Sequence, residues 1–336
     1  MTDLGKIDEG VFERVVGPHL GASRDDVVLG PTMGVDFGVV SVDDLAMVLA
    51  TDPLSILPDL GLERAGRLAV DIVLADVAVS GVAPSHLTVA LTLSRAFDDE
   101  SLTAVWRGIA GQARDLDVAV VAAHAGRYPG VEGSWVGGAT AVGIGDADDV
   151  VRPDGARPGD ALVVSTGPAA EVAGLFATLY PERLGLPAAT VATAQERVDD
   201  IPAVADAMAA HDAGRVTAMH DATEGGMAGG LIEMAAGAGV RFDVDRDAVP
   251  VADGVRAVCA AIDVDPWHVT SCGTLLMAVD PADAGDVVAA LAERETPAAV
   301  VGTVAEGSGV YVDGERLAAP ERDPSWAAAQ RLADED

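Results

Sequence analysis

Residues 220–230 read His220-Asp221-Ala222-Thr223-Glu224-Gly225-Gly226-Met227-Ala228-Gly229-Gly230 (HDATEGGMAGG), at the head of a small-residue, apolar run whose spacing predicts a helix over 225–237. A helix start presents unmet N–H groups and partial positive charge, and glycine lets a phosphate approach the backbone. That reading makes the stretch a phosphate cradle. An ordinary capped helix, with Asp221 or Thr223 as N-cap and the glycines serving close packing, explains the same letters equally well.

Working outward from this stretch, Ser271-Cys272-Gly273-Thr274 is a small polar turn entering an apolar strand at 274–279. A strand at 240–244 precedes it; a helix at 282–294, a strand at 298–304 and a last helix at 325–333 follow, the helix running into an acidic tail. Upstream, 160–165 (DALVVS) reads as a buried strand. Before it stands RPDGARPG (152–159), whose prolines and glycines mark the domain boundary, giving domains 1–150 and 151–336. In the first domain, strands are expected at 37–42, 46–50, 87–93, 118–123 and 139–144, with helices at 62–80 and 101–116. The mixture of both element types makes the fold class α/β, with an α+β character.

Four segments place an acidic or histidine residue inside an apolar run beside glycine or another small residue. They are Gly34–Gly38 around Asp36, Ala50–Pro53 with Asp52, Leu74–Ala78 around Asp76, and the opening stretch with Asp221. Magnesium takes oxygen ligands, commonly one or two carboxylates with phosphate and water, so these carboxylates suit it. A single aspartate in so acidic a chain is more often a solvated residue or a cap. Asp76 differs, because an unpaired carboxylate on the apolar stripe of a helix is costly. His124 follows an apolar strand, where a ligand-facing residue would emerge, although a lone histidine there is more often structural. No Walker A loop, GxGxxG, HExxH or GxSxG motif is present, which disfavours the commonest nucleotide folds.

The net charge of −33 over 336 residues, with Lys6 the single lysine, is spread along the chain. Concentrated salt screens such repulsion within a few ångström, so the charge is read as adaptation to a high-salt cytoplasm, a halophilic trait. It argues against nucleic acid as a partner. The expected protein is soluble and cytoplasmic: no signal-peptide pattern is seen, and the apolar runs are strand-length. Cys259 and Cys272 fit no zinc pattern and read as buried small side chains.

Taken in order, these segments resemble the AIR synthetase superfamily, which includes the hydrogenase-maturation protein HypE, thiamine monophosphate kinase and selenophosphate synthetase. The resemblance runs from about Asp26 to Gly314. GVDFGVV (34–40) and LATDP (49–53) look like the family's first two Asp motifs, and AVDIVLADVAVSGVAP (69–84) like its metal-binding helix. VVAAHAGRYPG (120–130) is similar to its Gly-Gly-His/Asp-Thr segment. RPGDALVVSTG (157–167), HDATEGGMAGGLIEMA (220–235) and SCGTLLMAV (271–279) resemble its second-domain motifs, and the wording of the last two is nearest that of archaeal HypE-like, AIR synthase-related proteins.

The resemblance implies a PurM-like two-domain fold, a homodimer in which two N-terminal domains pair into a β-barrel, and binding of ATP with Mg²⁺. Asp36, Asp52 and Asp76 would be metal ligands, the first two also facing the nucleotide. His124, Asp221, Thr223, Gly225 and Gly226 would complete the ATP-binding set. The implied chemistry is phosphoryl transfer activating an acceptor that the sequence does not identify. Three departures narrow it. The chain ends Arg331-Leu332-Ala333-Asp334-Glu335-Asp336 without the terminal cysteine on which HypE builds its thiocarbamate, which speaks against hydrogenase maturation by that route. Ala123 and Ala125 replace the usual Gly and Thr beside His124, and the doubled aspartate of thiamine-phosphate kinases is missing at Val35–Asp36. Thiamine monophosphate kinase is therefore the alternative enzyme, and a non-catalytic nucleotide sensor or scaffold the alternative of another class.

Overall fold

The computed structural model describes residues 5, 7, 9–32, 34–199, 201–318 and 322–333. The acidic tail 334–336, Asp200 and Lys6 lie outside the described residues. The chain divides into a unit of residues 25–30 and 36–150, and another of 1–24, 31–35 and 151–336.

The first of these units is a six-stranded sheet with two helices. Its elements are β1 (Val27–Leu29), β2 (Gly38–Val42), β3 (Leu45–Ser55), a helix at Leu62–Ala78, β4 (Pro84–Leu93), a helix at Asp99–Asp115, β5 (Ala119–Arg127) and β6 (Trp135–Asp146). The strands lie in the order β1-β2-β3-β6-β4-β5, and only β4 and β5 run parallel. Counting the short turn α1 (Glu9–Val11) of the other unit, the two helices are α2 and α3. The β2–β3 hairpin closes through Asp43, whose φ of 54° aspartate tolerates better than most residues.

Strand β3 runs five residues past its expected end at Ala50, through Asp52 and Pro53. The proline is accommodated because β2 pairs with β3 only as far as Leu49, so a donor is not needed on that side. Strand β5 likewise continues to Arg127, which places His124 inside a strand and not at its end. Its outer edge has no partner strand among the described residues, and nearly all its residues are exposed, Val121 at 57%.

Helices α2 and α3 approach closely at two glycines. A β-carbon on Gly66 would stand 2.3 Å from the Val105 carbonyl oxygen, and one on Gly108 would stand 1.9 Å from that of Glu63. Hydrogen at those positions lets the backbones touch.

The second unit holds β7 (Ala161–Ser165), α4 (Ala170–Leu179), α5 (Ala188–Gln195), α6 (Ala203–Ala213), β8 (Val216–Asp221), α7 (Gly226–Ala238), β9 (Arg241–Val244), α8 (Val255–Ala261), β10 (Leu275–Val279), α9 (Ala284–Glu293), β11 (Ala298–Ala305), β12 (Gly309–Val312), β13 (Glu315–Arg316) and α10 (Pro324–Ala333). Its seven strands lie in the order β13-β12-β9-β11-β7-β10-β8. Every residue of β7 and of β10 is buried, as a strand covered on both faces must be. One core gathers Leu162, Met227, Leu231, Phe242 and Leu276, and another gathers Phe176, Val255, Val258 and Ala328.

Candidate functional site

In the six-stranded unit, Asp76 lies on α2 at 4% exposure, Asp52 is partly buried on β3 opposite Ala139, and Asp36 is partly buried just before β2. The three carboxylates do not close to within 4.8 Å of one another. They remain an all-oxygen donor set of the kind magnesium accepts alongside phosphate and water. His124 is exposed on β5, with its Nε2 2.9 Å from the Tyr128 hydroxyl.

A second buried carboxylate on α2, Asp71, was not among the expected site residues. It is 6% exposed, and the Gln112 side-chain amide of α3 donates to its Oδ1. Burial pushes its pKa up to about 7, against the opposing pull of the Arg67 charge and the Gln112 hydrogen bond. The Gln112 Oε1 is buried and has no hydrogen-bond partner among the described residues. A protonated Asp71 would carry an O–H donor, the kind of group that oxygen lacks. The clue that singled out Asp76, a charge within an apolar helix run, applies to Asp71 as well.

In the seven-stranded unit the opening stretch begins as a strand. His220 and Asp221 end β8, at 3% and 2% exposure. The His220 Nε2 lies 3.1 Å from Glu233 Oε2 on α7, and its Nδ1 lies 3.7 Å from Asp221 Oδ1. The chain then turns through Gly225 and Gly226, both in the left-handed region at φ 86° and 65°. Neither Asp221 nor Thr223 caps the helix. Gly225 stands at the N-cap, with no side-chain cap bond of its own, and Thr223 accepts the Gly226 N–H through its carbonyl at 2.9 Å. A β-carbon on Gly226 would come 2.4 Å from the Val269 carbonyl oxygen, so this glycine is also a packing requirement. The N–H groups of Met227 and Ala228 are those a helix start leaves unmet, and nothing among the described residues accepts from them.

The Ser271–Thr274 turn lies against this stretch. Ala222 N–H donates to the Thr274 carbonyl at 2.9 Å, and Ser271 N–H to the Ala222 carbonyl at 3.1 Å. Ser271 Oγ accepts from Ala169 N–H at 2.8 Å, and Thr274 Oγ1 donates to the Gly167 carbonyl at 2.7 Å. Glu171, buried on α4, accepts from Thr270 Oγ1 at 2.9 Å and from Cys272 N–H at 3.0 Å. Burial raises the Glu171 pKa against those hydrogen bonds, and the Asp323 charge adds to the rise. The Cys272 thiol is also pushed up, first by burial and then by the neighbouring Glu171 and Asp221 charges. Cys259, at about 12, is raised mainly by burial. Burial disfavours the thiolate at both cysteines, which works against nucleophilic activation.

These features define a two-unit α/β protein with a PurM-like fold, its second-unit motif turns laid together at the strand ends. A family model described as AIR synthase related protein, N-terminal domain, matches residues 34–145, and its C-terminal-domain counterpart matches 157–315. The chain belongs to the AIR synthase related family.

A carbamoyl dehydratase HypE from Rhizobium leguminosarum bv. viciae is 28% identical over 98% of this chain and 91% of its own. A thiamine-monophosphate kinase from Halobacterium salinarum (strain ATCC 700922 / JCM 11081 / NRC-1) is 35% identical over 78% and 83%. A solved HypE in complex with ATP shares the fold with a TM-score of 0.68, at 22% identity over 96% and 97% of the two chains. No described helix is long and apolar enough to cross a membrane.

Proposed function

We propose that this protein is an ATP-binding, Mg²⁺-dependent enzyme that transfers a phosphoryl group to an acceptor, working as a homodimer in a salt-rich cytoplasm. The observation that carries the reading is the start of α7. Two left-handed glycines, no side-chain cap and two unmet N–H groups at Met227 and Ala228 suit an anion at that end. The glycine N–H groups are engaged within the protein, so the glycines supply room and turn geometry while Met227 and Ala228 supply donors. Asp52 and Asp76, with Asp36, would hold the magnesium. The ion, when bound, neutralises charge on the transferring phosphate. His124 on β5 would face the nucleotide, and Asp221 would orient the 221–226 turn. The unpaired outer edge of β5, long, apolar and exposed, supports the dimer.

Isothermal titration with ATP and Mg²⁺ in molar KCl tests the reading, and absence of binding overturns it. Asp76→Asn is expected to remove Mg²⁺-dependent ATP binding, by at least about a hundredfold, while the folded far-UV spectrum is kept. Binding that survives the substitution would remove Asp76 from the site.

A second reading has its own support in the 35% identity to a thiamine-monophosphate kinase. It predicts ADP release that depends on thiamine monophosphate. ATP binding with no turnover on any acceptor would instead identify a nucleotide sensor or scaffold.

A further inference from the structure

Asp323 lies 98 residues from Gly225 and 53 from Thr270 in the chain, yet its carboxylate touches both turns. It is 5% exposed. Oδ2 accepts the N–H of Thr270 at 2.7 Å and the N–H of Gly225 at 3.3 Å. Oδ1 accepts the N–H of Ser325 at 2.9 Å and its hydroxyl at 2.6 Å, which caps α10. One oxygen therefore faces the motif turns and the other faces the last helix.

That helix is itself secured. Ala328 is buried beside Val255 and Val258, the Arg331 guanidinium donates to the Ile262 carbonyl at 2.7 Å, and the Arg183 guanidinium donates to the Leu332 carbonyl. From the other side, Glu171 holds Thr270 Oγ1 and Cys272 N–H. The 270–272 turn is thus gripped between two buried carboxylates, and of these two Asp323 extends the grip to Gly225.

We infer that Asp323 is a positioning residue that fixes the Gly225 turn against the Thr270 turn and so sets the geometry of the start of α7. The inference rests on the reading of that helix start as the phosphate-facing element. An acceptor is required there, because each N–H it satisfies sits at a turn where no backbone carbonyl among the described residues replaces it. Both turn N–H groups share Oδ2, so an asparagine can keep them on its one oxygen, whereas alanine removes the acceptor altogether.

The test uses the full chain in molar KCl. Amide hydrogen exchange is followed at Gly225, Thr270 and, as a reference, Leu276 and Met277 of β10. Asp323→Ala is expected to speed exchange at Gly225 and Thr270 together by at least tenfold with the β10 amides unchanged. It should weaken ATP·Mg²⁺ binding tenfold or more. Ser325→Ala, which removes only a donor on the α10 side, should leave the two turns protected. Unchanged protection at Gly225 and Thr270 in Asp323→Ala overturns the inference. So does an equal loss of protection in β10, which would make Asp323 a general anchor of the fold. If Asp323→Ala fails to fold, Asp323→Ser decides, since its single hydroxyl oxygen can keep the α10 cap without a second acceptor for the turns. If the wild-type chain does not bind ATP, the proposed function fails, while the exchange measurements still decide whether Asp323 ties the turns together.

Discussion

Asp71 and Asp76 stand five residues apart on one buried helix, and the pKa of about 7 for Asp71 ties stability to pH. Between about pH 4 and pH 7 the folded chain keeps the Asp71 proton that the unfolded chain has already released. The folded state therefore binds more protons in that window, and stability falls as pH rises through it. Relative to the ordinary value of 3.8, the shift corresponds to about 4 kcal/mol lost by pH 8. Asp71→Asn should remove this slope, because an asparagine presents both an oxygen to the Gln112 amide and an N–H to the unmet Gln112 Oε1. Urea unfolding at pH 5 and pH 8, in the same salt, is expected to show the variant gaining clearly more stability at pH 8 than at pH 5. A wild-type stability that does not fall between those pH values would assign Asp71 an ordinary titration. The presence of a polar residue on the apolar helix could be read from the sequence. Its partner, 41 residues away on α3, could not.

At the scale of elements, the contact between α2 and α3 depends on Gly66 and Gly108. Gly108→Ala would place a methyl group against the Glu63 backbone, which cannot swing aside as a side chain can. The helix-propensity gain of roughly 1 kcal/mol is outweighed by overpacking. A net loss of about 2 kcal/mol is expected in urea unfolding, and a neutral or stabilised variant would show that the helices can part at no cost.

Both helices were legible from their apolar spacing, as were most strands of the first unit, since turn residues bound them. Helices α4, α5 and α6 and strand β8 were not. Residues 170–213 are rich in alanine and apolar nearly all round, with much of α4 buried, so no polar face marks the helical period. Strand β8 ends in His220-Asp221, letters that read as the approach to a helix until pairing with β10 fixes them in a sheet.

For the whole molecule, the charge of −33 predicts a fold that needs salt. Melting temperature should climb steeply between 0.1 and 3 M KCl, because the screening length shortens from about 10 Å at 0.1 M to 3 Å at 1 M. A melting temperature independent of KCl would reject the high-salt reading. The β5 edge makes a separate prediction at this scale. Val121→Glu puts a charge on the exposed edge and should convert a dimer into a monomer in sedimentation at fixed salt, with little change in the circular dichroism spectrum. A wild-type chain that sediments as a monomer would withdraw the dimer.

The sequence by itself determined the two α/β halves, the motif turns and their order, and the acidic residues set in apolar surroundings. These follow from periodicity, turn chemistry and the cost of burying charge, which act over a few neighbouring residues. The tertiary structure decided which N–H groups at the start of α7 are engaged and which have no acceptor among the described residues. It also decided that Asp71 answers Gln112 and that Asp323 joins Gly225 to Thr270. Those pairings bridge 41, 98 and 53 residues and exist only where packing brings distant backbones within hydrogen-bond reach.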